Sequence, residues 1–223
     1  MPSSSASELC VALLAGATGL IGRELLTLLL ASSRYTDVHV LVRRTPPDLP
    51  SHPKLQVHVV DFARLSALPP VDDAFIALGT TIKVAGSQEA FRRVDFDAVV
   101  NTARAARAAG AKRLIVVSAL GADARSRVFY NRVKGEMQAA VAAAGVESVV
   151  FAQPSLLLGD RAALGQPVRS GEALALRAAP LLRWLPRGVR PIAAGDVARA
   201  MVQGALEAKP GVRMLSSGDM QRP

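Results

Sequence analysis

The amino-acid sequence predicts an α/β fold with a doubly wound parallel sheet. Short apolar runs of strand length alternate with stretches of helix length over most of the 223 residues. This alternation favours parallel strands joined by helical crossovers. A glycine-rich loop follows the first apolar run and leads directly into a helix. Because the runs are apolar throughout, the strands are expected to be covered on both faces.

The elements are expected in alternating order along the chain. Strands are expected at 9–14, 38–42, 55–60, 74–78, 114–117 and 148–152, with an additional edge strand at 212–216. Helices are expected at 24–31, 88–109, 128–144 and 196–208. Gly110 and Gly145 end two of these helices, since glycine is favoured just past a helix C-terminus.

The length of the chain favours one domain, at about 150 residues per domain. Residues 1–7 are expected to form a disordered tail, and residues 8–223 a single domain. Within that domain the irregular stretch 155–191 contains several prolines and is expected to form a small C-terminal substrate lobe or lid.

The composition indicates a globular protein, with 50% hydrophobic and 20% charged residues. No apolar run reaches the roughly 18 residues that span a bilayer, so no membrane association is expected. The run at 9–14 is not preceded by a basic region and is not interpreted as a signal peptide. We therefore expect a cytoplasmic protein.

Metal and nucleic-acid sites are not expected. Cys10 is the single cysteine and lies in a strand, where a buried, inert thiol is expected, and the three histidines lack the spacing of metal ligands. The formal charge of +9 could favour nucleic acid, but the basic residues are scattered and only 4% of residues are aromatic. A phosphate-rich cofactor accounts for part of this charge.

The glycine loop predicts a dinucleotide site and hence a Rossmann-type sheet. Its sequence has the form GxxGxxG between a strand and a helix, the context in which this motif is informative. The first glycine permits the turn, the second the approach of a pyrophosphate, and the third close helix packing. The helix N-terminus offers N–H groups and a partial positive charge. The candidate contacts are Gly16, Thr18, Gly19, Leu20, Ile21 and Gly22.

The end of the second strand predicts NADP(H) rather than NAD(H). NAD-specific sites usually place an acidic residue there, about 20 residues past the loop. This chain has Arg43 and Arg44, so we expect no carboxylate in this place to bind a ribose 2′-hydroxyl or repel a 2′-phosphate. A solvated arginine pair without that role is the alternative. Further cofactor contacts are expected from Asp61 and Phe62 after the third strand and from Gly79, Thr80 and Thr81 after the fourth.

A catalytic group is predicted at Ser118, Tyr130 and Lys134. The tyrosine and lysine are four residues apart, which places both side chains on one face of a helix. A phenol is a poor base at neutral pH, and a nearby ammonium favours its ionised form. Ser118 ends the fifth strand, at the edge of the sheet where ligands bind, and can hydrogen-bond a substrate oxygen.

Together these features resemble the short-chain dehydrogenase/reductase superfamily, and in particular its atypical, Tat-interacting-protein branch. The stretches that carry the closer resemblance are 78–81, 85–87, 91–95, 118–123, 130–136 and 154–161. The resemblance implies a Rossmann fold, NADPH binding and an oxidoreductase-type site at Ser118, Tyr130 and Lys134. It also implies that Pro154 and its neighbours line the nicotinamide end.

One residue departs from the pattern of the broader superfamily. Many extended members have an asparagine before the serine strand that joins the lysine to a proton-relaying water, and this chain has Asp95 there. Asn101 matches a second, structural asparagine of that superfamily. A carboxylate accepts hydrogen bonds but cannot replace an amide, so Asp95 is either functional in another way or an ordinary acidic residue early in a helix.

Two functions are consistent with this sequence. The first is an NADP(H)-dependent oxidoreductase that acts on a small carbonyl or alcohol substrate, with Tyr130 as general acid/base. The second is a non-catalytic regulatory module that binds NADP(H) as a redox signal and acts through a protein partner. The sequence does not distinguish a monomer from a homodimer.

Overall fold

Seven parallel strands form the central sheet, in the order β3-β2-β1-β4-β5-β6-β9. In this computed structural model the described residues are 9–158, 186, 188–207 and 209–221. The strands are β1 Cys10–Ala15, β2 Tyr35–Val42, β3 Leu55–Val59, β4 Asp73–Ile76, β5 Arg113–Val117, β6 Ser148–Gln153 and β9 Gly211–Ser216. The α/β doubly wound sheet is therefore confirmed, and each expected strand is present with its ends moved by three residues or fewer.

The order of the strands creates a topological switch point between β1 and β4. The chain proceeds outward from β1 to β3 and then returns to place β4 on the other side of β1. Ligands of open α/β sheets bind in the crevice at the carboxyl ends of such strands. The glycine loop follows β1 and the segment from Ala77 to Thr81 follows β4, so both border this crevice.

Helices cover both faces of the sheet. They are α1 Leu20–Ala31, α2 Ile82–Ala85, α3 Gln88–Arg92, α4 Val99–Ala108, α5 Phe129–Ala142, α6 Ala194–Leu206 and α7 Ser217–Met220. The expected helix at 88–109 is interrupted, because Arg93–Ala98 forms a π-helical segment between α3 and α4. Its wider turn shifts the following residues around the helix axis, a change that apolar periodicity does not reveal.

The core has two halves, one on each side of the sheet. Ala12 and Leu14 of β1 face α1 and α6, whereas Leu13 and Ala15 face α4 and α5. Alternate side chains of one strand are thus buried on opposite faces, as its continuous apolar run predicts. Cys10 is buried as expected, and burial raises the pKa of its thiol.

The expected tail at 1–7 lies outside the described residues, and so does most of the expected lobe at 155–191. The described parts of that stretch include a short pair of parallel strands, β7 Leu157–Leu158 and β8 Ile192–Ala193. Within the residues that the structure describes, no helix is both long and apolar enough to cross a membrane.

A buried carboxylate connects three strands at the amino end of the sheet. Asp73 is fully buried at the start of β4 and accepts a hydrogen bond from the Tyr35 hydroxyl over 2.8 Å. It also forms ion pairs with Arg113 and Arg34. Burial, and then the charge of Asp73, raise the pKa of Tyr35 far above its ordinary range. These contacts stabilise the carboxylate at the end of the sheet opposite the crevice.

We expect Tyr35→Phe to lower the free energy of unfolding by about 2 kcal/mol, because a hydrogen bond to a buried charge is lost. Urea denaturation of wild type and variant measures the difference. Tyr130→Phe is the matched control, since that hydroxyl makes no hydrogen bond with the part of the chain that the structure describes. Equal midpoints for the two variants would contradict the role assigned to Tyr35.

Candidate active site

The glycine turn after β1 is packed tightly against the end of β4. Gly16 has φ +94°, and a Cβ there would lie 2.6 Å from the carbonyl carbon and oxygen of Ala77. A Cβ at Gly22 would overlap the carbonyl oxygen of Gly16. Both glycines are therefore required by the close approach of backbone segments, as expected for the first and third glycines of the motif.

Gly19 differs from the other two glycines because its missing side chain leaves open space. A Cβ there would meet only the carbonyl oxygen of Gly16, at 3.4 Å. Gly19 is the N-cap of α1, which has no side-chain cap and no acidic residue in its first turn. Backbone N–H groups and the helix dipole at this end suit an anion such as a pyrophosphate. The geometry thus fits the dinucleotide that the loop predicts.

The candidate residues of the glycine loop differ in their exposure to solvent. Thr18 is exposed, whereas Ile21 and Gly22 are buried beneath the turn. Leu20 and Ile21 begin α1, so their backbone N–H groups belong to the first turn of the helix, where such groups lack partners within the helix. A bound phosphate would therefore contact mainly the backbone N–H groups here and few side chains.

The loop after β2 brings a carboxylate next to the glycine loop, beyond the place where Arg43 and Arg44 stand. Arg43 and Arg44 are exposed just past β2, as expected. The loop that follows then turns back and brings Asp48 into an ion pair with Arg23 in the first turns of α1. This pair borders a cavity of about 280 Å³ that is also lined by Ala17, Thr18, Leu26, Thr27, Leu49 and Pro50.

The loop after β3 is held by the asparagine expected to be structural. The Asn101 side chain donates a hydrogen bond to the carbonyl oxygen of Phe62 over 3.0 Å. Asp61 is exposed, and its carboxylate accepts a hydrogen bond from the Ala63 N–H over 2.9 Å. Asp61 and Phe62, both predicted as cofactor contacts, therefore lie at the carboxyl edge of the sheet.

Asp95 and Lys134 form a buried ion pair at the end of β4. The carboxylate oxygen lies 2.8 Å from the lysine Nζ, and the two side chains are 1% and 3% exposed. The second carboxylate oxygen accepts a hydrogen bond from the Thr80 N–H over 2.8 Å. A Cβ at Gly79 would lie 3.3 Å from the carboxylate and 3.7 Å from the ammonium. Asp95 thus lies early in its helical segment, as expected, and is the buried partner of Lys134.

Ser118 is buried directly after β5, at the carboxyl edge of the sheet. Its side chain is 3% exposed, and its Oγ accepts a hydrogen bond from Gln138 of α5 over 2.6 Å. Leu114 and Val116 face α4 and α5, and Ser118 continues this alternation. Because its oxygen accepts from Gln138, the hydroxyl proton is the group that Ser118 can direct to another acceptor.

Tyr130 lies at the amino end of α5, half-buried, with its ring packed on Phe91 at a centroid distance of 5.4 Å. Lys134 follows one turn later, and Gln138 one turn after that. Pro154 is buried directly after β6, and its carbonyl oxygen accepts a hydrogen bond from Leu120 over 2.9 Å. The structure therefore brings Tyr130, Lys134, Ser118 and Pro154 to the carboxyl ends of β4 to β6.

Sequence reasoning missed two contacts and left a third undecided. Gln138 could have been found, because it continues the spacing of four residues from Tyr130 and Lys134. The pairing of Asp95 with Lys134 depends on the π-helical segment. The pairing of Arg23 with Asp48 depends on the path of a loop, for which the sequence contains no signal.

Comparison with known families identifies the cofactor class. A family model described as NAD(P)H-binding matches residues 16–154, from the first loop glycine to the proline after β6. The chain belongs to this NAD(P)H-binding family. The match contains the whole glycine loop together with Asp95, Ser118, Tyr130 and Lys134. The cofactor of this NAD(P)H-binding chain is therefore a nicotinamide dinucleotide, as the loop predicts.

Relatives of this NAD(P)H-binding chain are fungal proteins named Fmp52, mitochondrial. One from Aspergillus niger is 36% identical over 90% of this chain and 88% of its own length. One from Emericella nidulans is 38% identical over 73% of this chain and 71% of its own length. The expected cytoplasmic location is contradicted by these relatives, because their names place them in the mitochondrion.

Solved structures similar to this NAD(P)H-binding chain share its fold at low identity. The protein MoeE5 in complex with UDP-glucuronic acid and NAD has a TM-score of 0.71 at 21% identity, covering 92% of this chain and 75% of that one. ADP-L-glycero-D-manno-heptose-6-epimerase from Helicobacter pylori has a TM-score of 0.67 at 18% identity, covering 94% and 77%. These similarities confirm the Rossmann-type fold.

We expect Gly19→Val to abolish NADPH binding in a folded protein, because the side chain would enter the space next to the N-terminus of α1. Gly19 has φ −81° and ψ 169°, which valine adopts without strain. Gly22→Ala is the contrasting variant and should lose stability through its clash with Gly16. Circular dichroism and NADPH fluorescence titration measure both effects. Unchanged NADPH affinity in a folded Gly19→Val variant would contradict this assignment.

Proposed function

We propose that this chain is an NADP(H)-dependent oxidoreductase of the short-chain dehydrogenase/reductase type that acts on a small carbonyl or alcohol substrate. The observation that supports this most is the placement of Lys134, buried at the end of β4, one helical turn from Tyr130. A lysine is rarely this buried unless its charge is paired, and here the pair lies at the edge of the sheet where ligands bind. The resemblance to the atypical, Tat-interacting-protein branch agrees with this proposal.

The proposed mechanism assigns a proton transfer to Tyr130. A bound nicotinamide would supply or accept the hydride, as cofactors do in such reactions. The Tyr130 hydroxyl exchanges a proton with the substrate oxygen, and its position at the edge of α5 leaves it half-exposed for that contact. Lys134 would hold the ribose next to a bound nicotinamide. Ser118, fixed by Gln138, donates its hydroxyl proton toward the substrate oxygen.

The preference for NADP(H) is supported by three arginines at the adenosine end. Arg43 and Arg44 follow β2 directly, and Arg23 projects from α1 and lines the cavity next to the glycine loop. A hydrogen bond between charged groups contributes about 1.5–3 kcal/mol, which corresponds to roughly tenfold or more in affinity. Asp48 weakens the expected preference in two ways. It forms an ion pair with Arg23, and a carboxylate near this place is typical of sites that bind the ribose 2′-hydroxyl of NAD(H).

We expect NADPH to raise the melting temperature more than NADH at equal concentration. A ligand at a hundred times its Kd adds about 2.7 kcal/mol of stability.

Asp48→Asn should raise NADPH affinity a few-fold, because exposed ion pairs contribute roughly 0.2–1 kcal/mol and Arg23 would be released. Asp37→Asn, which changes a carboxylate at the other end of β2, is the control. Equal shifts of the melting temperature with NADPH and NADH would contradict the preference for NADP(H).

A non-catalytic, redox-sensing module that acts through a protein partner is the second candidate. It is favoured by the internal pairing of the proposed catalytic groups, since Lys134 binds Asp95 and Ser118 binds Gln138. Groups held in this way could serve to order the site around a bound nucleotide without turnover. NADPH binding without oxidation is the behaviour that distinguishes this candidate from the oxidoreductase.

We expect Tyr130→Phe to lose most carbonyl reduction while keeping NADPH affinity. The change removes the proton donor but retains the ring that packs on Phe91. General acid–base groups contribute roughly 10² to 10⁴ in rate. The measurement is NADPH oxidation with a panel of aldehydes and ketones. Comparable rates for wild type and variant would contradict the role of Tyr130, and binding of NADPH with no turnover in wild type would favour the redox-sensing module.

A further inference from the structure

We propose that the substrate of this site is an apolar carbonyl compound, an aldehyde or ketone with an alkyl or aryl chain, and that Leu120, Val128 and Leu156 bind that chain. This inference rests on the proposed function, because it names the substrate class of the same site. It differs from the ligand of MoeE5, a protein of similar fold whose structure contains UDP-glucuronic acid.

Exposed apolar side chains are concentrated at the carboxyl edge of the sheet. Five of them lie in segments that follow β4, β5 or β6 or that precede α5 or α6, with exposed fractions between 38% and 58%: Val84, Leu120, Val128, Leu156 and Val189. Within the described residues, the remaining exposed large apolar side chains lie on the edge strands β3 and β9 or at the amino end of the sheet. Single exposed apolar residues need no explanation, whereas a group of them often lines a ligand-binding groove.

Backbone hydrogen bonds place Leu120 between Pro154 and the start of α5. The Leu120 N–H binds the carbonyl oxygen of Pro154 over 2.9 Å. Three residues later, the Asp123 N–H binds the carbonyl oxygen of Asn131 over 3.0 Å. Asn131 is the residue directly after Tyr130. The loop that contains Leu120 therefore extends from the residue proposed to line the nicotinamide to the backbone next to the proposed proton donor.

Val128 and Leu156 border the same place from the two neighbouring elements. Val128 is the N-cap of α5, two residues before Tyr130. Leu156 lies two residues past Pro154, and its carbonyl oxygen accepts a hydrogen bond from the Ile192 N–H over 2.9 Å. Adjacent strands are roughly 4.8 Å apart, so the segments that follow β5 and β6 lie side by side. A carbonyl group placed at Tyr130 would direct its chain along these apolar side chains.

Hydroxyl groups of the same segments are used to hold the backbone. The Ser126 Oγ accepts a hydrogen bond from the Val128 N–H over 3.1 Å. The Ser155 hydroxyl donates a hydrogen bond to the carbonyl oxygen of Arg190. A sugar that enters a site must replace its hydrogen bonds to water with hydrogen bonds to the protein, and an unmade bond is costly. An apolar chain has no such requirement and is favoured by contact with the exposed leucine and valine side chains.

The exposed cations of this edge are the groups that a phosphate-bearing substrate would use. Lys83 lies in α2, and Arg125 and Arg127 lie in the loop before α5. The Arg125 side chain is 94% exposed and lies 3.9 Å from the carboxylate of Asp123. Solvent and salt screen charges in such exposed positions, so their attraction for a ligand in the crevice is weak. A sugar nucleotide is therefore the alternative occupant that the experiment has to exclude.

The proposal is tested by the binding of straight-chain alcohols to the NADPH-loaded protein. The alcohols n-butanol, n-hexanol and n-octanol are the products of aldehyde reduction, and they cannot react while the nicotinamide is already reduced. Isothermal titration calorimetry measures their Kd without turnover, with glycerol and UDP-glucose as polar comparisons. We expect the Kd to fall roughly two- to fourfold for each added methylene, as burial of an apolar chain predicts. Equal Kd values along the series, or tighter binding of UDP-glucose than of n-octanol, would overturn the proposal.

Variants assign the binding to particular side chains. Leu120→Ser and Val128→Ser should each weaken n-octanol binding several-fold and n-butanol binding less, because a longer chain makes more apolar contact. Leu206→Ser is the matched control, since this leucine is 52% exposed at the end of α6, away from the crevice. Substitutions at exposed positions rarely unfold a protein, so all three variants should fold. An equal loss in Leu206→Ser, or no loss in both other variants, would overturn the proposal.

Reduction of the matching aldehydes separates this inference from the proposed function. With NADPH, kcat/KM should rise from butanal to hexanal to octanal in step with the affinity of the alcohols. Reduction with equal kcat/KM along the series would support the oxidoreductase and overturn the apolar substrate. Binding of the alcohols that depends on chain length, without reduction of any aldehyde, would support the apolar site and contradict the oxidoreductase.

Discussion

The close approach of the β1–α1 turn to the end of β4 is the constraint on which the rest of the site depends. It exists because Gly16 and Gly22 have no side chains where Ala77 and the turn itself meet. This approach sets the N-terminus of α1 at the switch point of the sheet, beside the backbone from Ala77 to Thr80. That same backbone binds Asp95, so the glycine turn also determines where the ion pair can stand relative to a bound dinucleotide.

Two buried carboxylates lie near opposite ends of β4, and each is bound by a different set of partners. Asp73 is bound by Tyr35, Arg113 and Arg34 at the amino end, far from the crevice. Asp95 is bound by Lys134 and Thr80 at the carboxyl end. Buried ion pairs often stabilise a fold no better than apolar packing does. The pair at the ligand-binding edge is consistent with the proposed role of Lys134 at a bound nucleotide.

The sequence predicted the features that depend on local pattern. Continuous apolar runs identified the strands, and the motif from Gly16 to Gly22 predicted the NAD(P)H-binding family to which the chain belongs. The spacing of Tyr130 and Lys134 predicted that both residues lie on one helix, which is α5. It did not predict the π-helical segment, because one wider turn leaves the apolar periodicity almost unchanged. Nor did it predict the partners Asp48 and Gln138, which are set by a loop path and by packing between elements. The expected cytoplasmic location was wrong for another reason, because the amino-acid composition does not specify the cellular compartment of a protein.

Helix α5 connects these features, because each polar residue on its inner face meets a different element. Tyr130 packs on α3, Lys134 pairs with the π-helical segment, and Gln138 binds the residue after β5. A rotation of α5 would break all three contacts together, so the helix is held in register by the same groups that the chemistry would use. Tyr130, the proposed proton donor, lies at the more exposed end of this row of side chains, where the helix begins.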